Sequence, residues 1–137
     1  MRLPPEALAT LSQPYLKVQV GDVWWLPEEQ ARYPGGKGRF CLVVALETPP
    51  GAKVPSRVHY VPGSTSAGGQ PVIVLEIGDA NLRERTHFRF WWSGDIEIAA
   101  LVQEGRFKGR LDPLRRVEIV AAIRASKRVA LKRLVSQ

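Results

Sequence analysis

Acidic side chains are scarce in this chain, histidine and cysteine are scarcer, and long apolar runs are missing. The single cysteine, Cys41, excludes an internal disulfide and any cysteine-rich zinc site. Two histidines, far apart, leave little with which to hold a metal. No window is apolar for long enough to cross a membrane. The opening stretch to Leu16 is broken by Pro4, Pro5 and Pro14 and lacks the continuous apolar core of a signal peptide. These absences lead us to expect a cytoplasmic protein with no membrane association, no metal and no cofactor. Internal repeats and low-complexity tracts are also missing.

Positive charge is what remains. Twenty Lys and Arg against 13 Asp and Glu leave a net charge of +7 across 137 residues. The isoelectric point is about 10.1. Such a balance favours a polyanionic partner: nucleic acid, an acidic protein tail or a membrane surface. A soluble domain with ordinary basic decoration has the same composition. The length and the 45% hydrophobic content suffice for one domain with a real core.

The stretch Lys37-Gly38-Arg39-Phe40-Cys41-Leu42-Val43-Val44 organises the chain. A Pro/Gly-rich loop ends there, and a run from Phe40 to Leu46 begins that has the length and apolar content of a strand buried on both faces. Lys37 and Arg39 sit at its mouth, where a cation on a rigid element meets a phosphate well. Surface decoration at a strand end looks the same. Cys41 falls inside the run and reads as a small buried hydrophobe.

Around it, residues 1–17 read as an N-terminal arm with a short helix between Pro4-Pro5 and Pro14. Residues 18–137 read as a single domain. Val18 to Leu26 suggests a strand interrupted at Gly21-Asp22. The adjacent Trp24 and Trp25 point to opposite faces, so one is core and the other is either dimer packing or a stacking surface for a base. A loop from Pro27 to Gly38 carries Arg32. Further strands are expected at Arg57–Val61, Val72–Ile77, Thr86–Trp92 and Ile96–Val102, the last ending in a short turn or not, and a basic strand or loop at Gly105–Leu111. The segment from Pro62 to Gly69 holds Ser64, Thr65 and Ser66, hydroxyls on flexible backbone able to meet an anion. Any polar hairpin connection has that composition too. Asp112-Pro113 is a helix start, and Leu114, Val117, Ile119, Val120, Ala121 and Ile123 supply an apolar face. The fold class expected is mainly β: short strands on one curved sheet or small barrel, with a C-terminal helix.

This order of motifs resembles the MazF/PemK family, the toxin components of bacterial type II toxin–antitoxin pairs. The matching pieces are Gly21-Asp22-Val23-Trp24, then Lys37 to Val44, then Val61-Pro62 with Ser64-Thr65-Ser66, then Gly109-Arg110-Leu111-Asp112 before a helix. They cover roughly residues 18–125. The resemblance implies an SH3-like β-barrel with α-helices, usually a homodimer. It also implies a metal-independent endoribonuclease that cuts single-stranded RNA and is neutralised by a small acidic antitoxin. Arg39 matches the family's catalytic arginine, and Ser64 or Thr65 its loop hydroxyl; pairing on Thr-Ser favours Thr65. Arg89 matches the arginine of a later Arg-x-Asp. On this reading Lys37, Arg32, Ser66, Trp25 and Trp91 contact RNA. Two departures stand out: Phe40 follows Arg39 where the family commonly has proline, and Trp91 occupies the Asp position. A general base must then come from His87, which has a suitable intrinsic pKa, or from Glu28, Glu29 or Asp22. A binding barrel without catalysis is the alternative, as is a protein-interaction module docked through the basic tail.

Overall fold

The computed structural model describes residues 18–27, 38–66 and 70–135. The N-terminal arm and positions 28–37, with Arg32 and Lys37, lie outside the described residues. Seven strands are described: β1 (Asp22–Leu26), β2 (Arg39–Glu47), β3 (Arg57–Ser64), β4 (Val72–Leu75), β5 (Thr86–Arg89), β6 (Gly94–Glu97) and β7 (Arg106–Arg110). All their pairings are antiparallel, in the order β4-β5-β3-β2-β1-β7, with β6 also on β3. The protein is mainly β, a curled sheet resembling half of a barrel. Helices α1 (Ile98–Glu104), α2 (Arg116–Ala125) and α3 (Val129–Val135) pack against it. No helix among the described residues is long and apolar enough to cross a membrane.

Burial on both faces of β2 follows from its sequence. Leu42, Val44 and Ala45 enter one core with Val61, Ile73, Phe88 and Phe90, which α2 and α3 close with Ile119, Ile123 and Leu131. Cys41 and Val43 enter a second core with Trp24, Tyr60, Ile96 and Leu101. Val44 and Ala45 can share a side because the register with β3 shifts between Val43 and Ala45. Such a bulge adds a residue to one strand and sharpens its twist.

The curl is completed in β3, whose outer edge has two partners. Residues 57–60 pair with β6, and Gly63 and Ser64 pair with β5. Pro62, between them, has no amide hydrogen to extend the ladder. Gly63 then lets β5 close in: a Cβ there would lie 2.6 Å from Thr86 Cγ2 and 2.8 Å from Phe88 Cε1.

Three expectations are corrected. Ile96 to Val102 is not a strand, because β6 ends at Glu97 and Ile98-Ala99-Ala100-Leu101 coil as α1. Alanines favour helix, and the helix turns Leu101 into the second core. The C-terminal helix is two helices, parted at Ser126, whose hydroxyl donates to the Ile123 carbonyl at 2.7 Å. Leu114 and Val117 are 85% and 73% exposed, since the face that meets the sheet is Ile119, Ala122 and Ile123. The Asp112 cap stands, its carboxylate accepting from Leu114 N at 2.9 Å, though it opens a 3-10 turn (Pro113–Arg115) before α2.

Arg115 fastens that turn. It donates to both carboxylate oxygens of Glu118, at 2.7 and 3.0 Å, and to the Val74 carbonyl at 2.9 Å. The hydrogen bond from Arg115 holds the Glu118 carboxyl below its ordinary value of 4.5. A depressed carboxylate contributes stability above its unfolded pKa and loses it as pH falls through the folded one. Acid unfolding monitored by circular dichroism should therefore show a shallower loss of stability below about pH 4.5 in Glu118→Gln than in the parent. Gly63→Ala should destabilise the domain by about 2 kcal/mol in urea denaturation, because Phe88 and Thr86 must move to admit the methyl group.

Candidate functional site

β2 begins and β3 ends at one rim of the sheet, with the short β5 running antiparallel beside the end of β3. There Arg39 and Arg89 line a cleft of about 420 Å³ together with Ser64, Thr65 and Ser66. Trp25 and Phe40 also line it, in an edge-to-face contact with ring centroids 4.9 Å apart. Gly38 is required beside them, since a Cβ would fall 2.5 Å from Trp25 Cζ2. Residues far apart in sequence thus meet: two guanidiniums, three hydroxyls and an aromatic pair.

The hydroxyls differ. Ser64 Oγ accepts from the Ser66 amide at 3.1 Å, which orients it. Thr65 is exposed in the cleft. Strand geometry fixes the arginines more firmly than loop positions would, and guanidiniums on rigid elements suit charge-assisted contacts to phosphate oxygens. Burial pushes the thiol of Cys41, two residues from Arg39, far above the ordinary cysteine range, and the nearby Arg39 charge only partly opposes this.

A second cleft of about 430 Å³ adjoins the first and shares Phe40, Gly63, Ser64 and Thr65 with it. Its remaining lining comes from β5, β7 and the segment between β4 and β5: Thr86, Lys108, Asn81, Leu82, Arg83 and Glu84. Lys108 is the extra residue where the β1–β7 register shifts, between partners Val23–Gly109 and Trp24–Phe107. Bulges re-aim side chains, and here Lys108 Nζ stands 5.9 Å from the centre of the Phe40 ring. Asn81 Nδ2 donates to the Lys108 carbonyl at 2.6 Å. The turn that carries Asn81 lies close on β7 because Gly109 has no side chain; a Cβ would sit 2.7 Å from Ala80 Cα.

Of the residues singled out from sequence, Arg39, Ser64, Thr65, Ser66, Arg89 and Trp25 are brought together. His87 stands opposite Ser64 in the β3–β5 ladder but lines neither cleft. Its Nδ1 is buried and makes no hydrogen bond among the described residues. Trp91 is 49% exposed in the turn after β5, outside both clefts. Asp22 is withdrawn as a base. It is fully buried, accepts from the Gln19 amide at 3.0 Å, and pairs with Arg110 Nε at 2.7 Å. Glu28 and Glu29 lie outside the described residues. Among the described residues no three His, Cys, Asp or Glu side chains gather as a metal site.

Lys108, Glu84 and Thr86 were not singled out from sequence. The basic run at Gly105–Leu111 marked the neighbourhood of Lys108, but nothing local marks the bulge that aims it. Compared with models of protein families and with curated proteins, the chain matches none.

Asn81→Ala should cost about 1–2 kcal/mol in thermal or urea denaturation. It removes the bond to the Lys108 carbonyl, and Asn81 sits at φ 60°, a conformation asparagine tolerates better than alanine. In the same variant the Lys108 ε-methylene protons should lose the ring-current shift that Phe40 imposes, as read by NMR.

Proposed function

We propose that this chain is a metal-independent endoribonuclease of the MazF/PemK toxin type, with an SH3-like barrel, acting on single-stranded RNA. The observation that carries the reading is the convergence of Arg39, Arg89 and the Ser64–Ser66 hydroxyls on one open cleft. In this proposal the protein works as a homodimer and an acidic antitoxin protein covers the cleft. A net charge of +7 suits both the substrate and such an inhibitor.

The reaction is transfer within the RNA. The 2′-oxygen attacks the adjacent phosphorus, the bond to the 5′-oxygen breaks, and a 2′,3′-cyclic phosphate and a 5′-hydroxyl result. The proton of the 2′-hydroxyl leaves to a base, and the 5′-oxygen takes one up. Arg39 and Arg89 donate to the non-bridging oxygens, whose charge grows in the transition state; a preorganised donor of this kind is worth about 10²–10³ in rate. The Thr65 hydroxyl, with Ser64 oriented behind it, positions the phosphate. Among the described residues lining the Arg39 cleft there is neither carboxylate nor imidazole. None of these lining side chains takes the 2′ proton, and what they contribute to the rate is charge stabilisation.

That same observation favours a second reading, a barrel that holds nucleic acid without cutting it. The two separate in one experiment. Purified protein in EDTA should cut a mixed-sequence single-stranded RNA into fragments with cyclic phosphate ends, and Arg39→Ala should slow this by about 100-fold or more. RNA that stays intact while the protein binds it, with affinity falling steeply as salt rises, would replace the nuclease by the binding barrel.

A further inference from the structure

We propose that the second cleft is a base-reading subsite, and that the base it takes is guanine. The proposal rests on the reading of the chain as an RNA-binding protein and names what sits beside the phosphate.

The clefts are continuous across Ser64 and Thr65. A strand whose phosphate is held by Arg39 and Arg89 places the base of an adjoining nucleotide at the second cleft. At about 430 Å³ that cleft falls within the roughly 300–1,000 Å³ typical of small-ligand sites. Leu82, Phe40 and the bare backbone of Gly63 give it apolar wall, as a base plane requires.

Its polar groups are selective. Glu84 lines it, is exposed, and its carboxylate makes no hydrogen bond or ion pair among the described residues. The backbone of Glu84 is tethered, because the Thr86 hydroxyl donates to the Glu84 carbonyl at 3.0 Å. Lys108 supplies an ammonium group, held over the Phe40 ring. One acceptor residue, Glu84, and the cations Lys108 and Arg83 thus line the space for one bound base. Guanine alone among the four bases offers two neighbouring donors, N1–H and the N2 amino group, beside strong acceptors at O6 and N7. A carboxylate takes the first pair and an ammonium the second. Adenine would turn its N1 lone pair toward the carboxylate. Uracil has one donor between two acceptors. Cytosine sets an acceptor, N3, beside its amino group. In each case a polar group meets the wrong partner, which a site built of hydrogen-bonding groups rejects.

The test uses fluorescence anisotropy with 2′-O-methyl hexanucleotides, which cannot be cut. One is all uridine, and the others carry one central guanine, adenine or cytosine. The guanine hexamer should bind about tenfold tighter than the rest, and Glu84→Gln should shrink that preference to less than about threefold. Glu84 is exposed, so the substitution leaves the fold intact. Equal binding of all four hexamers would overturn the guanine subsite while leaving the RNA reading in place. A guanine preference that survives Glu84→Gln would overturn this cleft as its source. Failure to bind any hexamer would remove the RNA reading itself, and the subsite with it.

Discussion

The rim of this protein depends on one discontinuity in β3. Up to Tyr60 the outer edge of the strand belongs to β6; from Gly63 it belongs to β5. Pro62 cannot extend the first ladder, and Gly63 admits the second. A strand that changes partners in this way bends the sheet on itself. It also delivers Ser64 and Thr65 to the rim just as β3 runs out, with Arg89 brought up on β5 and Arg39 on β2. The curl and the cleft therefore have one cause. Neither would follow from a β3 that kept β6 along its whole length.

Much of this was legible in the chain. The doubly buried run of β2 showed in its unbroken apolar content, and the helix start at Asp112-Pro113 in its capping chemistry. Arg39 stood out as a cation at a strand mouth and the hydroxyls as polar groups on a flexible loop, whereas Arg89 was picked out only by the family resemblance. What stayed hidden depended on contacts between distant segments. Leu114 and Val117 read as core because they are apolar, yet a 3-10 turn precedes α2 and the meeting face rotates away from them. Ile98 to Leu101 is short enough to serve as strand or helix, and packing of Leu101 beneath the sheet decides. Lys108 owes its direction to a register shift, and Glu84 its position to a turn laid against Gly109. No local pattern encodes either. Asp22 looked like a free carboxylate near the first loop, and only the fold shows that Arg110, 88 residues later, has claimed it.

The distribution of charge about the two clefts has a physical logic. The Arg39 cleft has two arginines and no carboxylate in its described lining. The adjoining cleft mixes Arg83 and Lys108 with Glu84. Several acidic groups elsewhere are tied up in structure. Asp22 joins β1 to β7, Glu118 and Asp79 face Arg115, and Glu47 meets His59 at 2.8 Å. The cations of the Arg39 cleft thus stand beside one another with no carboxylate among the described residues that line it.

The burial of Cys41 has a practical side. The chain holds one thiol, and the second core encloses it on β2, with 1% of its surface exposed. Its elevated proton affinity and its enclosure both suppress the thiolate, the form that reacts with alkylating and disulfide reagents. A maleimide dye offered to the folded protein thus meets no competing native target. A cysteine placed at an exposed site such as Ser66 becomes the sole address for a fluorophore or spin label, and events at the rim can be followed in real time without first stripping the protein of its own sulfur.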